Sequence, residues 1–126
     1  MKKILIVEDE LAYVKLLRDQ FTAQGYQTIE AYDGKTGLEL AKAEKPDVIL
    51  LDIRMPVMDG MTMLDLLRKD ADGKSTKVIM LTNLQPDDKI LGKVVEDLPT
   101  YYFVKSDIKF EELSDKVKEL LAESVK

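Results

Sequence analysis

Short runs of strand-forming residues alternate with longer stretches of helical period along the chain. The strands are predicted at 4–7, 27–31, 48–51, 77–81 and 101–104. Between them, apolar residues recur at three- and four-residue spacing, as they do on the inner face of an amphipathic helix. This alternation is typical of an α/β domain built on a parallel sheet.

Five helices are predicted between and after these strands. The first has Leu11, Val14, Leu17 and Phe21 and ends at Gly25, and the second has Leu38 and Ala41 and ends at Pro46. The third begins at Asp59-Gly60 and has Met61, Leu64 and Leu67, and the fourth begins at Pro86, has Ile90, Leu91, Val94 and Val95 and ends at Pro99. The fifth has Phe110, Leu113, Val117, Leu120 and Leu121. Strand-helix units with right-handed crossovers form a doubly wound sheet, of either Rossmann-type or flavodoxin-like order. We expect one domain over residues 1–126.

Composition excludes several classes of function. The 126 residues carry 24 acidic and 19 basic side chains, a net charge of -5, and no run of Lys or Arg. This charge disfavours direct binding to nucleic acid. The longest aliphatic runs have only four residues, so we expect no membrane insertion and, with no leader pattern, a cytoplasmic location.

The chain contains neither cysteine nor histidine. A disulfide framework, thiolate or imidazole metal ligands and a cysteine nucleophile are therefore excluded. The missing histidine also removes the usual general base at neutral pH. Any chemistry must come from carboxylates, hydroxyls, amides and ammonium groups.

Polar side chains follow four of the predicted strands directly. Glu8 and Asp9 follow the first strand, Asp52 the third, Thr82 the fourth and Lys105 the fifth. The carboxyl ends of parallel strands meet at one edge of a sheet, where ligands bind in such folds. Three carboxylates at one edge repel one another, and an all-oxygen site suits Mg²⁺ better than a softer metal.

A carboxylate can attack phosphorus to form an aspartyl phosphate without a histidine base. Asp52 is the candidate nucleophile, and Glu8 with Asp9 are the candidate metal ligands. Lys105 and Thr82 would place a positive charge and a hydroxyl donor on the phosphoryl oxygens. Structural alternatives remain for each of these residues: Glu8-Asp9 could cap the first helix, and Asp52 could simply end a strand.

These residues lie in segments that resemble the response-regulator receiver domain of two-component signalling. The segments are ILIVED at 4–9, LDIRMPVMDG at 51–60, MLT at 80–82 and YFVK at 102–105. The resemblance covers the whole chain and implies a flavodoxin-like sheet of order 2-1-3-4-5 with five helices. It also implies that Mg²⁺ is bound by Glu8, Asp9, Asp52 and the backbone carbonyl of Arg54.

The resemblance further implies how the domain signals. Asp52 would take its phosphoryl group from a histidine kinase or a histidine phosphotransfer protein, as a signalling phospho-acceptor rather than a turnover enzyme. The hydroxyl of Thr82 would then move toward the phosphoryl group, and the ring of Tyr102 would rotate inward. The responding face, formed by the fourth helix, fifth strand and fifth helix, would control a downstream protein target or output domain and is a candidate homodimer contact.

One departure from the family pattern concerns the residue after Lys105, where most receivers have a proline in a cis peptide. Ser106 stands there. A cis bond before a non-proline residue costs about 2.5 to 4 kcal/mol, so we expect a trans peptide.

Two rival functions stay open. One is a receiver-like interaction module that works without phosphorylation. The other is a haloacid-dehalogenase-like phosphatase, which would need an acid two residues beyond its nucleophile, where this chain has Arg54.

Overall fold

The structure is a computed structural model that describes residues 1–83 and 101–123. Its elements are β1 (Lys3–Val7), α1 (Leu11–Ala23), β2 (Gln27–Ala31), α2 (Gly34–Glu44), β3 (Val48–Leu51), α3 (Gly60–Lys69), β4 (Lys77–Thr82), β5 (Tyr101–Val104), a 3-10 turn (Lys105–Asp107) and a C-terminal helix (Phe110–Glu123). The predicted fourth helix, which begins at Pro86, lies outside the described residues. All five predicted strands are confirmed.

The five strands form one parallel sheet of order β2-β1-β3-β4-β5. This is the flavodoxin-like order, and it confirms the predicted fold class. The order places β1 and β3 side by side in the middle, with Val7 opposite Leu51. The residues that follow these two strands are consequently neighbours at the carboxyl edge of the sheet.

The core has two layers because helices cover both faces of the sheet. Alternate residues of β1 divide between them: Ile4 and Ile6 pack on the face covered by α1 and the C-terminal helix, while Leu5 and Val7 pack on the face of α2 and α3. All four are fully buried. A strand buried on both faces needs continuous apolar sequence, which explains why the strand runs show no polar alternation.

The predicted inner stripe of α1 is correct except at its first residue. Val14, Leu17 and Phe21 are buried against the sheet, but Leu11 is 67% exposed. Leu11 is the first residue of the helix, which begins beyond the carboxyl edge of the sheet. The side chain therefore has no strand beneath it, whatever its helical spacing.

The loop from β3 to α3 is held at both ends by close backbone contacts. The amide of Gly60 donates to the carbonyl of Ile53 at 2.8 Å, and the amide of Gly34 donates to the carbonyl of Met58 at 3.0 Å. A Cβ on Gly60 would lie 2.0 Å from the carbonyl oxygen of Asp52. Glycine is required there because α3 begins directly against the backbone of the residues that follow β3.

No helix among residues 1–83 and 101–123 is long and apolar enough to cross a membrane.

Candidate functional site

Two buried carboxylates lie side by side because the sheet continues one residue beyond its central strands. The amide of Asp52 donates to the carbonyl of Val7 at 3.0 Å, and the amide of Glu8 donates to the carbonyl of Ala31 at 3.0 Å. These bonds extend the β1 ladders and fix the backbones of both acids. Glu8 is 3% exposed and Asp52 is 7% exposed.

Glu8, Asp9 and Asp52 form the acidic cluster predicted from the sequence. One carboxylate oxygen from each lies within 4.8 Å of the others, and Asp9 is the exposed member. Backbone amides orient the two buried acids: Ile53 donates to Asp52 Oδ1 at 2.8 Å and Glu10 donates to Glu8 Oε2 at 2.9 Å. One oxygen of each buried carboxylate is thus held by a backbone amide.

The helix-capping alternative for Glu8 and Asp9 does not hold. The N-cap of α1 is Glu10, and no side chain forms the cap hydrogen bond. Glu8 instead accepts the amide of Glu10, before the helix begins. The acidic pair therefore faces the cleft at the sheet edge.

Lys105 supplies a positive charge to this cluster from the end of β5. Its ammonium is paired with Glu8 Oε1 and lies 3.5 Å from Asp52 Oδ2, with the side chain only 10% exposed. The predicted trans peptide between Lys105 and Ser106 is confirmed, since the described residues include no cis bond. The chain leaves the lysine through a 3-10 turn, and the lysine still reaches the acids.

Tyr13 is a site residue that lies outside the predicted site motifs. The Nζ of Lys105 lies 4.5 Å from the centre of its ring, on the first turn of α1. Burial raises the pKa of the Tyr13 hydroxyl to about 12, and the charges of Glu8, Glu10 and Asp52 contribute further. Tyr13 lies in the first turn of α1, four residues after Asp9, and this closeness in sequence to the acidic pair is the signal that could have predicted a position near the cleft.

The environment shifts the ionisation of Glu8. Burial raises the pKa of the Glu8 carboxyl from 4.5 to about 7, against the opposing effect of the hydrogen bond from Lys105. The nearby charge of Asp52 contributes to this rise in pKa, and the charge of Lys105 opposes it. Glu8 is therefore poised to bind either a proton or a cation near neutral pH.

Thr82 and Tyr102 lie on the same face of the sheet. Tyr102 is directly opposite Met80 in the β4–β5 pair, and Thr82 is two residues further along β4. Both Met80 and Tyr102 belong to the core layer under α2 and α3, so strand alternation puts Thr82 on that side too. Thr82 is buried and Tyr102 is half-buried. The predicted switch pair is thus a diagonal pair of neighbours.

The remaining predicted ligand is the backbone carbonyl of Arg54. Arg54 lines the same cleft, whose other lining residues are Glu8, Asp9, Glu10, Asp52, Thr82, Asn83 and Lys105. The cleft thus contains every residue predicted for metal binding and phosphoryl transfer. The carbonyl's role as a ligand stays a prediction.

The donor set fits Mg²⁺. The three carboxyl groups lie close together, and the ammonium of Lys105 contacts two of them, so the carboxyl groups outnumber this ammonium by two. All side-chain donors are oxygens, and the sequence has no histidine or cysteine. A hard divalent cation that takes oxygen ligands and keeps some of its waters matches both the charge and the chemistry.

Comparison with known proteins gives one consistent result. A model of the response regulator receiver domain matches residues 4–118. The response regulator PleD of Caulobacter vibrioides is 34% identical over 128 residues, which cover 93% of this chain and 28% of PleD. Protein PilH of Pseudomonas aeruginosa is 39% identical over 94 residues, which cover 74% of this chain and 78% of PilH.

Among solved structures, the chain is similar to the response regulator TrrA of Thermotoga maritima, crystallised in complex with Mg²⁺-BeF. The two share 33% sequence identity with a TM-score of 0.83, over 95% of this chain and 99% of TrrA. Relatives of this fold are thus solved with Mg²⁺, and the acidic cluster is present here. The chain spans little more than a quarter of the length of PleD.

Proposed function

Since the chain belongs to the response-regulator receiver family of two-component systems, we propose that Asp52 accepts a phosphoryl group in a Mg²⁺-dependent reaction. The donor is a histidine kinase or a histidine phosphotransfer protein. The observation that carries the proposal is the position of Asp52: it is buried beside Glu8 and Asp9, and 3.5 Å from the ammonium of Lys105. A structural strand end would need none of these neighbours.

The reaction needs neutralisation of charge more than proton transfer. A carboxylate oxygen of Asp52 attacks phosphorus, and the bond from phosphorus to the donor nitrogen breaks with its electron pair staying on that nitrogen. The donor leaves as neutral imidazole, with its proton on the other ring nitrogen. The amide of Ile53 holds Asp52 Oδ1 and so fixes the carboxylate plane. Lys105 places its ammonium against the added negative charge, as oriented donors do in phosphoryl transfer.

Glu8 and Asp9, with Asp52 and the carbonyl of Arg54, would hold Mg²⁺. When bound, the ion neutralises the acidic cluster and the charge on the transferred phosphoryl group. Glu8 would then offer its carboxylate to the metal as well as to Lys105. The ammonium of Lys105, which lies 3.5 Å from Asp52 Oδ2, would be within reach of the phosphoryl oxygens.

Signalling would follow from a local change at Asp52. The hydroxyl of Thr82 donates to the new phosphoryl oxygens, and Tyr102, its diagonal neighbour, moves inward on the same face. Tyr102 lies on β5, which is the edge strand among the described residues and pairs there with β4. Phosphorylation at one strand end would thus change the β5 edge of the sheet, where a downstream protein, an output domain or a second copy could bind.

This role is that of a phospho-acceptor rather than a turnover enzyme. A phosphatase that uses an aspartate nucleophile would need an acid two residues beyond Asp52. Arg54 stands there and lines the cleft. The chemistry is accordingly expected to stop at one phosphoryl group for each chain.

The direct test is intact-mass measurement after incubation with Mg²⁺ and acetyl phosphate. We expect one phosphoryl group on the unsubstituted chain and none on Asp52→Asn, which keeps the size of the side chain. Chelation of Mg²⁺ should abolish the gain. No gain in a folded, Mg²⁺-bound chain would favour the phosphorylation-independent module, and repeated turnover of excess phosphorylated substrate would favour the phosphatase.

A further inference from the structure

The ammonium of Lys105 contacts Glu8 and Asp52 and also lies 4.5 Å from the centre of the Tyr13 ring. We propose that Tyr13 is a positioning residue, whose ring holds this ammonium beside Asp52 during metal binding and phosphoryl transfer. This inference rests on the proposed function, because it assigns a task to the lysine. Tyr13 itself touches no reacting atom.

The Tyr13 ring and the two acids reach the ammonium of Lys105 from different elements. Lys105 starts a 3-10 turn at the end of an edge strand, and the next residue is the exposed Ser106. A lysine stem has four rotatable carbons, so its ammonium is placed by contacts near its end. Tyr13 comes from α1, a different element from those that carry the two acids. The ring and the carboxylates thus fix the ammonium from separate elements.

The contact between Tyr13 and Lys105 does not depend on a group that would bind the metal. Glu8 is the ion-pair partner of Lys105 and also a candidate metal ligand. A divalent cation on Glu8 competes with the ammonium for the same carboxylate. The Tyr13 ring is neutral and has no such competitor, since burial raises the pKa of its hydroxyl to about 12. Its attraction for the lysine therefore persists after Glu8 is engaged.

The contact between Tyr13 and Lys105 is largely shielded from water. The Lys105 side chain is only 10% exposed, and Tyr13 packs against the core layer that includes Leu17. Cation–π attraction is stronger for a desolvated cation than for one in water. An effect of about fivefold on the rate of phosphoryl transfer corresponds to the ordinary size of such a contact.

The position of the lysine can be measured without any phosphorylation. Protons above an aromatic ring resonate upfield, so the ε-methylene protons of Lys105 should be shifted upfield in the unsubstituted chain. Tyr13→Phe keeps the ring and should keep the shift, with and without Mg²⁺. Tyr13→Leu keeps an apolar side chain in the core and should lose it. Two results would overturn the inference even if Asp52 is phosphorylated normally. One is the absence of an upfield shift in the unsubstituted chain, and the other is the same shift in Tyr13→Leu.

The consequence for transfer is measured as the rate of phosphorylation by acetyl phosphate at saturating Mg²⁺. Tyr13→Leu should lower this rate by about fivefold, and Tyr13→Phe should restore it to within about twofold. Tyr26→Leu is the matched control, because Tyr26 packs edge-on against Phe21 and is not a residue of the cleft. A similar loss in Tyr26→Leu would indicate a general packing effect and contradict the inference.

A double-mutant cycle separates positioning from stability. In the Lys105→Met background, Tyr13→Leu should cause no further loss of rate, because the ammonium is already gone. A full fivefold loss in that background would show that Tyr13 acts elsewhere. If no variant is phosphorylated at all, the proposed function fails, while the Lys105 resonances still report whether the ring holds the lysine.

Discussion

Glu8 is the residue whose charge is most sensitive to its surroundings. It is 3% exposed, paired with Lys105 and close to Asp52. Burial raises the pKa of its carboxyl to about 7, so without metal it is partly protonated at neutral pH. A metal ligand must be deprotonated, so at the proposed Mg²⁺ site the proton and the metal would compete for the Glu8 carboxylate.

Stability should depend on pH through Glu8. Without Mg²⁺, its folded pKa of about 7 exceeds its ordinary value of 4.5, so its contribution to folding is greatest below 4.5 and falls as pH rises through 7. Mg²⁺ should therefore raise the melting temperature far more at roughly pH 8 than at roughly pH 6. Glu8→Gln should show a much weaker dependence on pH in thermal melts. An equal effect of Mg²⁺ at both pH values in the unsubstituted chain would contradict this.

Val57 occupies a strained backbone conformation beside the site. Its φ is 68°, and the amide of Met58 donates to the carbonyl of Pro56 across it at 2.7 Å, which makes a γ-turn. A β-branched residue with positive φ is a genuine outlier. The side chain is 80% exposed, so little packing offsets the strain.

Replacing Val57 should therefore stabilise the protein. Glycine lacks the Cβ that crowds a positive φ, so Val57→Gly should raise the free energy of unfolding by about 0.5–1 kcal/mol. Val57→Ala is the control, because it removes the exposed side chain and keeps the Cβ that causes the strain. Urea unfolding measures both, and equal values for the two variants would show that the backbone strain is not the cause.

At the scale of elements, the site depends on where α3 begins. Asp59 caps the helix by accepting the amide of Thr62 at 2.8 Å, and Gly60 packs against the backbone of Asp52. The same close contact that starts the helix therefore fixes the backbone of the proposed phospho-acceptor. A change at the helix start is transmitted to the site through a single residue.

Gly60→Ala should disturb both stability and the site. The added Cβ would meet the carbonyl oxygen of Asp52 at 2.0 Å, and overpacking of this kind costs about 1–3 kcal/mol. Phosphorylation by acetyl phosphate should slow as well. Gly25→Ala is the control: its φ is 94°, but nothing lies within 4 Å of the added Cβ, so only backbone strain is introduced. Normal phosphorylation in Gly60→Ala would show that Asp52 tolerates the displacement.

Much of the layout could be predicted from sequence because it depends on local pattern. Apolar runs located the five strands, and the residues after them located Glu8, Asp52 and Lys105 at one edge. The strand order did not follow from the pattern, which left two orders open, and came from the family resemblance. Leu11 was misplaced because helical spacing says nothing about where the sheet beneath a helix ends.

Contacts between distant elements escaped prediction for a different reason. The ring of Tyr13 and the ammonium of Lys105 are 92 positions apart, and their contact depends on the packing of α1 beside β5's end. The positive φ of Val57 likewise depends on the bonds that hold the whole loop. Rotamers and loop conformations are decided by tertiary packing, which single-residue preferences do not contain.

At the scale of the whole molecule, one side of the sheet links the acidic cluster to β5. Thr82 and Tyr102 are diagonal neighbours on that side, and β5 is the edge strand of the sheet that the described residues form. A packed core responds to local change by shifting between discrete arrangements rather than by gradual deformation. The fold thus provides a short path from the proposed phosphorylation site at Asp52 to this edge strand.

Removing the hydroxyl of Thr82 should prevent a change at Asp52 from altering the position of Tyr102. With Mg²⁺ and beryllofluoride, the ring resonances of Tyr102 should change in the unsubstituted chain. In Thr82→Ala they should stay near their starting positions, while resonances around Asp52 still change. Thr62→Ala, an exposed threonine in the first turn of α3, is the control and should behave like the unsubstituted chain. The same change of Tyr102 in Thr82→Ala would rule out this coupling.

The central claim is that Asp52 itself carries the phosphoryl group. Borohydride reduces an aspartyl phosphate to homoserine and leaves a free carboxylate intact, so treatment after acetyl phosphate and Mg²⁺ records the modified position. Peptide mass mapping should find homoserine at position 52 and only after phosphorylation with Mg²⁺. Homoserine at another aspartate, or none at position 52 in a chain that has gained a phosphoryl group, would contradict the account.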